Sequence, residues 1–160
     1  MYSPLHATVG LLLAERLPNA PIAFLVGVAS HYVLDAIPHG DSHFGAWLTS
    51  KDPLRRIIFV EALDLGLAAF VIIGLLLSQP ARLAPKLIAG AIGGITPDVL
   101  WGLRFLLDTS GWRVPGLTAF LHLHDRWHNW GHAKAHYDVP FVVGLATQVS
   151  VLIAILLFHL

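Results

Sequence analysis

The stretch Ile57–Leu77, IIFVEALDLGLAAFVIIGLLL, is apolar except for Glu61 and Asp64. It meets the roughly 20 residues that a helix needs to cross a bilayer. Val139–Leu160 is a second such stretch, interrupted by Gln148, Ser150 and His159. Leu87–Leu107 is a third, interrupted by Thr96-Pro97-Asp98 and Arg104. Pro21–Ile37 is near the lower length limit, and Leu5–Leu17 is too short to span alone. It also lacks the basic start of a signal peptide, and His6 precedes its apolar run. No sustained period-two alternation argues for a sheet. The expected fold is therefore an all-α, integral-membrane helical bundle of about five to six helices, with residues 1–160 forming a single domain. A very apolar soluble helical protein is the alternative, and hydropathy weighs against it.

Composition points the same way. The chain is 56% hydrophobic and only 12% charged, about half the charge of an ordinary soluble domain, which is roughly 25%. Ten basic and ten acidic residues cancel, so no basic patch argues for a nucleic-acid partner. The absence of cysteine excludes disulfides, thiolate zinc sites and thiol nucleophiles together. Ten histidines remain, and histidine is the commonest metal ligand. The sequence holds no GxSxG, P-loop or GxGxxG, so serine-hydrolase and nucleotide chemistry have no support.

Prolines punctuate the helices. Ser3-Pro4 reads as a helix start, with the first helix running from Pro4 to about Leu17. Pro18-Asn19-Ala20-Pro21 makes a turn into a second helix that ends near Ile37, forming a helical hairpin. Residues 39–50 read as a polar loop. Asp52-Pro53 opens a third helix reaching about Ser78, and a fourth begins near Pro85. There Gly90, Gly93 and Gly94 should loosen the helix and Pro97 should kink or break it, with Thr96 capping the second half. A broken helix at membrane depth lines a cavity or is buried in protein, which turns Asp98 inward. A fifth, amphipathic helix spans about Gly116 to Ala135, and Pro140 opens a sixth. Lys51, Arg55 and Arg56 at one end of the third helix balance Arg82 and Lys86 at the other, so orientation stays open.

The polar residues in this apolar chain are few enough to weigh singly. His31 and Asp35 stand four apart, so a helix brings an imidazole nitrogen and a carboxylate oxygen to one side, within reach of one ion. His39 would extend that face, past the bend at Pro38. His6 lies on the helix paired with theirs. Asp98, after Pro97, needs a cation or a capping role in apolar surroundings. These make His6, His31, Asp35, Asp98 and His39 candidate metal ligands. In the fifth helix His124, His128, His132 and His136 recur every four residues. His128 and His132 are read as further ligands; His122, His124 and His136 are read as facing water on an interfacial helix with Trp127 and Trp130. Glu61 and Asp64, three apart on the third helix, suit a ligand, a general base or a partner for a histidine. Asp64 is the deeper of the two, and Asp64 or Asp41 is the candidate catalytic base.

Ser30-His31-Tyr32-Val33-Leu34-Asp35, with His39 nearby, resembles the His-x-x-x-Asp helix of zinc-dependent phospholipase C and its relatives. More closely, the chain resembles the small inner-membrane metal-dependent hydrolases. Those proteins carry an early histidine, here matched by His6. They carry Pro-Asp after a Gly-rich apolar stretch, here Gly93-Gly94-Ile95-Thr96-Pro97-Asp98, and a His-rich element, here His128 to His136. The order of the motifs differs, Leu100 stands where an aspartate is common, and the nearest match to a His-Arg-Gly-x-Thr-His-Ser signature is His128-Asn129-Trp130-Gly131-His132. The resemblance implies a membrane-bound hydrolase of the prokaryotic inner membrane, acting on a lipid or lipid-linked phosphoester. The donor set, nitrogen and oxygen without thiolate, makes zinc the first choice of divalent metal, with manganese and iron still open. Two other functions use the same residues. An ion carrier would use the buried carboxylates and the broken helix, and a non-catalytic protein would use the histidines for a structural metal.

Overall fold

The computed structural model describes residues 1–37, 39–40, 47, 51–78, 84–109, 111–112, 114–135 and 139–159, with the backbone alone at 108–109, 128–135 and 159. Among them are six α-helices of three turns or more and no strand: α1 (Ser3–Ala14), α2 (Ala20–Asp35), α3 (Pro53–Ser78), α4 (Pro85–Thr109), α5 (Pro115–Ala135) and α6 (Phe141–His159). The all-α reading holds.

The shortest of these helices is the central one. Nine of the twelve residues of α1 are buried, and it packs against α2, α3 and α4. A helix apolar all round belongs in such a place. Its ends are completed by other helices. Tyr2 supplies no side-chain cap, and Asp64 of α3 instead accepts a hydrogen bond from the Ser3 amide at 3.0 Å. At the other end Lys86 of α4 donates to the carbonyls of Glu15 and Leu17 at 2.9 and 2.8 Å. A carboxylate at the N-terminus and an ammonium at the C-terminus both suit the helix dipole. Asp64→Ala should therefore destabilise the protein by about 0.5–2 kcal/mol, the range for losing a cap. Denaturant unfolding in detergent reads this, and an unchanged midpoint would rule the capping role out.

α2 starts as its turn predicts, with Pro21 in the first turn and Asn19 Oδ1 accepting from the Ile22 amide at 3.1 Å. It ends at Asp35, two residues earlier than expected. α4 differs more. It runs as one continuous helix from Pro85 to Thr109, with Pro97 inside it. Thr96 does not start a new segment; its hydroxyl donates to the Ile92 carbonyl of its own helix at 2.7 Å. The glycines of α4 do not loosen it either. They form the face on which α1 and α2 lie. A Cβ at Gly90 would meet the Gly10 carbonyl of α1, one at Gly94 the His6 carbonyl, and one at Gly93 the Phe24 carbonyl of α2. Backbones this close exclude any side chain, as in small-xxx-small helix pairs. The core behind them is correspondingly small-grained, with Ala7, Ala14, Ala23, Ala68 and Ala91 around Leu11 and Leu87.

Two helices, Pro53–Ser78 and Phe141–Phe158, are long and apolar enough to cross a membrane, with mean hydropathy 2.3 and 2.5 in their most apolar windows. Only 11% of each window is buried, so they are not core helices of the usual soluble kind. Their apolar side chains point outward: Phe59, Phe70 and Leu77 on α3, Val142, Leu157 and Phe158 on α6. The polar Gln148 of α6 faces inward instead. It accepts from the Tyr2 amide at 2.7 Å and donates to the His39 carbonyl at 3.4 Å, tying the N-terminal segment and His39 to the bundle.

Candidate metal centre

The close approach of α1, α2 and α4 brings their polar groups to one point. α2 contributes His31 and Asp35, with Nε2 of His31 3.1 Å from Asp35 Oδ2. α4 contributes Asp98, whose Oδ1 lies 3.7 Å from the same nitrogen. α1 contributes His6, whose Nε2 is 3.2 Å from Asp35 Oδ1 and whose ring stacks on His31 at 4.0 Å. α5 adds His124, its ring 5.7 Å from that of His31. One donor atom from each of His31, Asp35, Asp98 and His124 lies within 4.8 Å of all the others. This group could hold a metal ion.

Its chemistry suits a cation. Nδ1 of His31 lies 2.9 Å from the Gly94 carbonyl. A carbonyl only accepts, so Nδ1 carries the proton, and in the neutral ring Nε2 offers its lone pair to the carboxylates. A metal-binding histidine is held in the same way, its second nitrogen donating to a carbonyl or carboxylate. His31 Nε2, both nitrogens of His6 and Asp98 Oδ2 are buried without a hydrogen-bond partner, despite carboxylate oxygens at 3.1–3.2 Å from two of them. Orphaned buried groups cost about 1–3 kcal/mol each. Ligands converging on one ion have this arrangement, since atoms about 2.0–2.1 Å from a tetrahedral ion stand about 3.3 Å apart without bonding one another.

The centre is closed on most sides. His6 and His31 are fully buried, Asp35 is 3% and His124 6% exposed, while the Asp98 side chain keeps 25% exposure. Asp98 is thus the least enclosed of the four residues, although its Oδ2 is buried. His124 is held by aromatic packing: Tyr32 lies beside both His124 and Trp127, at 5.7 and 6.4 Å, and Trp127 Nε1 donates to the Tyr32 carbonyl at 2.9 Å.

Of the residues expected from sequence, His6, His31, Asp35 and Asp98 come together. His39 lies at the edge. Its Nδ1 is 2.7 Å from the Ile37 carbonyl, and its Nε2 is 2.9 Å from the Met1 amino group, which also contacts Asp35. Asp64 caps α1 through Oδ2, so a base role would fall to Oδ1. His128 and His132 belong to α5, but their side chains lie outside the described residues, as does Asp41. His124, read from sequence as facing water, is instead buried in the donor group. The four-residue histidine stripe was the signal for it, but the stripe does not say which member faces the bundle. No protein-family model, curated protein or solved structure matches the chain.

Proposed function

We propose that this protein is an integral-membrane, divalent-metal-dependent hydrolase of the prokaryotic inner membrane, acting on a lipid or lipid-linked phosphoester. The observation that carries the reading is the buried group of His31, Asp35, Asp98 and His124, with donor atoms within 4.8 Å of one another. Two imidazoles and two carboxylates without thiolate suit zinc, and also manganese or iron. A bound ion would polarise a phosphoryl oxygen and lower the pKa of a water molecule. Catalysis would require a coordination position open to substrate, and Asp98 is the least enclosed of the four residues. The lipid substrate is supported by the outward apolar faces of α3 and α6 and by the family resemblance.

The test uses the purified full chain, loaded with zinc or manganese, on vesicles of phosphatidylethanolamine and phosphatidylglycerol doped with polyprenyl phosphate and polyprenyl diphosphate. Phosphorus NMR reads the products. Turnover should require the metal and fall at least about 100-fold in Asp98→Asn, in line with the several kcal/mol that metal catalysis contributes. A metal-loaded protein that hydrolyses none of these lipids would count against the reading.

A further inference from the structure

Between α3 and α4 lies a groove of about 300 Å3. Its walls include Ile57 and Leu65 of α3 and Val99 and Leu103 of α4, and Glu61 is the one charged residue that lines it. Ile58 and Leu103 on its rim are exposed, as are the outward apolar residues of α3. A small, mostly apolar cleft with a single placed polar group is the usual build of a ligand site. We propose that this groove binds an acyl chain of a phospholipid whose headgroup ends in a primary amine, and that the Glu61 carboxylate holds the ammonium. The proposal uses the membrane location given above, and neither the metal nor the hydrolysis.

Glu61 is the reason for the amine. It is half-buried, and it makes no hydrogen bond or ion pair among the described residues. The charged groups that act on it are Asp98 and Asp64, both acidic. Arg56 of the same helix is turned to Trp47 instead: Nη1 donates to the Trp47 carbonyl at 2.8 Å, and the guanidinium lies 4.6 Å from the centre of the Trp47 ring. A carboxylate in apolar surroundings is costly without a partner. The described residues supply no counter-charge, so the complementary group is a cation brought by the ligand.

The groove gives that cation room and access. Gly102 of α4 lines it beside the carboxylate, where a Cβ would stand 3.4 Å from Cδ of Glu61. Glycine weakens a helix interior; here it leaves space at the carboxylate. At 26 residues, α3 is about 39 Å long, against roughly 30 Å of hydrocarbon, so its ends lie among headgroups. Glu61 stands about 12 Å along the axis from Pro53. Helical side chains lean toward the N-terminus, which here is the nearer surface. An ammonium reaches the carboxylate from that side, and the chain runs inward past Val99 and Leu65.

Native mass spectrometry of the metal-free full chain in detergent tests this. The probes are phosphatidylethanolamine, its N-acetyl derivative and phosphatidylglycerol, all with the same acyl chains. The wild type should bind phosphatidylethanolamine about tenfold more tightly than the other two, which is what a hydrogen bond to a charged group contributes. Glu61→Gln should bind all three alike. Gly102→Leu, or Gly102→Val if the leucine variant does not fold, should weaken all three. Equal binding of the three lipids by the wild type, or a preference that survives in Glu61→Gln, would overturn the ammonium site. Undiminished binding in a folded Gly102 variant would overturn the groove. Metal content and turnover play no part in this readout, so failure here and failure of the hydrolase reading are separate results.

Discussion

Asp35→Asn is expected to strip the centre of metal. The substitution keeps the shape of the side chain and removes the charge that His31, His6 and the Met1 amino group all approach. The loss of affinity should exceed the roughly 10–100-fold typical of changing a residue that only supports a ligand, and His31→Ala should match it. Stability gives a second readout. Zinc or manganese at a hundred times its dissociation constant should stabilise the wild type by about 2.7 kcal/mol, and this gain should vanish in both variants. Acidification should release the ion from the wild type as well, because imidazole and carboxylate bind metal only when deprotonated. Asp125→Asn is the control. It removes the same charge from a half-exposed ion pair with Arg104 at 3.5 Å, where the contribution to stability is about 0–1 kcal/mol, and it should keep its metal. Wild-type metal content in both Asp35→Asn and His31→Ala would remove the centre.

How much of this was legible in the sequence depends on whether an interaction is local. His31 and Asp35 are one helical turn apart, so their pairing follows from helix geometry alone. Asp98 was legible because a carboxylate deep in an apolar helix has few other uses. His124 was not, because four histidines at four-residue spacing look alike until α5 is docked on α2 through Tyr32 and Trp127. Asp64 stands out in sequence as a carboxylate in an apolar helix, but its cap on Ser3 joins residues 61 positions apart, which no local pattern reveals. The glycines of α4 were misjudged for the same reason. Read alone, Gly90, Gly93 and Gly94 weaken a helix. Read with α1 and α2 beside them, they allow the contact that assembles the centre. Pro97 belongs with them: it cannot donate to the carbonyl four residues earlier, yet α4 runs through it, and the next carbonyl, that of Gly94, accepts from His31.

Gly94→Val should therefore be among the most damaging single changes in the protein. The added Cβ would run into the His6 carbonyl, a backbone atom that cannot rotate aside as a side chain could. Overpacking costs about 1–3 kcal/mol, occasionally more, and a collision with backbone belongs at the top of that range. At roughly 2–4 °C per kcal/mol for a chain of this size, the melting temperature should fall by about 6–12 °C. Gly90→Val, aimed at the Gly10 carbonyl, should behave alike. Gly66→Ala and Gly74→Ala provide the contrast. A Cβ at either position on α3 meets nothing within 4 Å, so alanine should leave stability unchanged or raise it by about 0.5–1 kcal/mol. Thermal unfolding of the four variants in one detergent separates the two classes. Gly94→Val should also lose metal, because the same contact sets the distance from α4 to α1 and α2, and with it the 3.7 Å between Asp98 and His31. If Gly94→Val melted like Gly66→Ala and kept its ion, the three helices could not lie as close as the centre requires, and the convergence of His6, His31 and Asp98 would lose its structural basis.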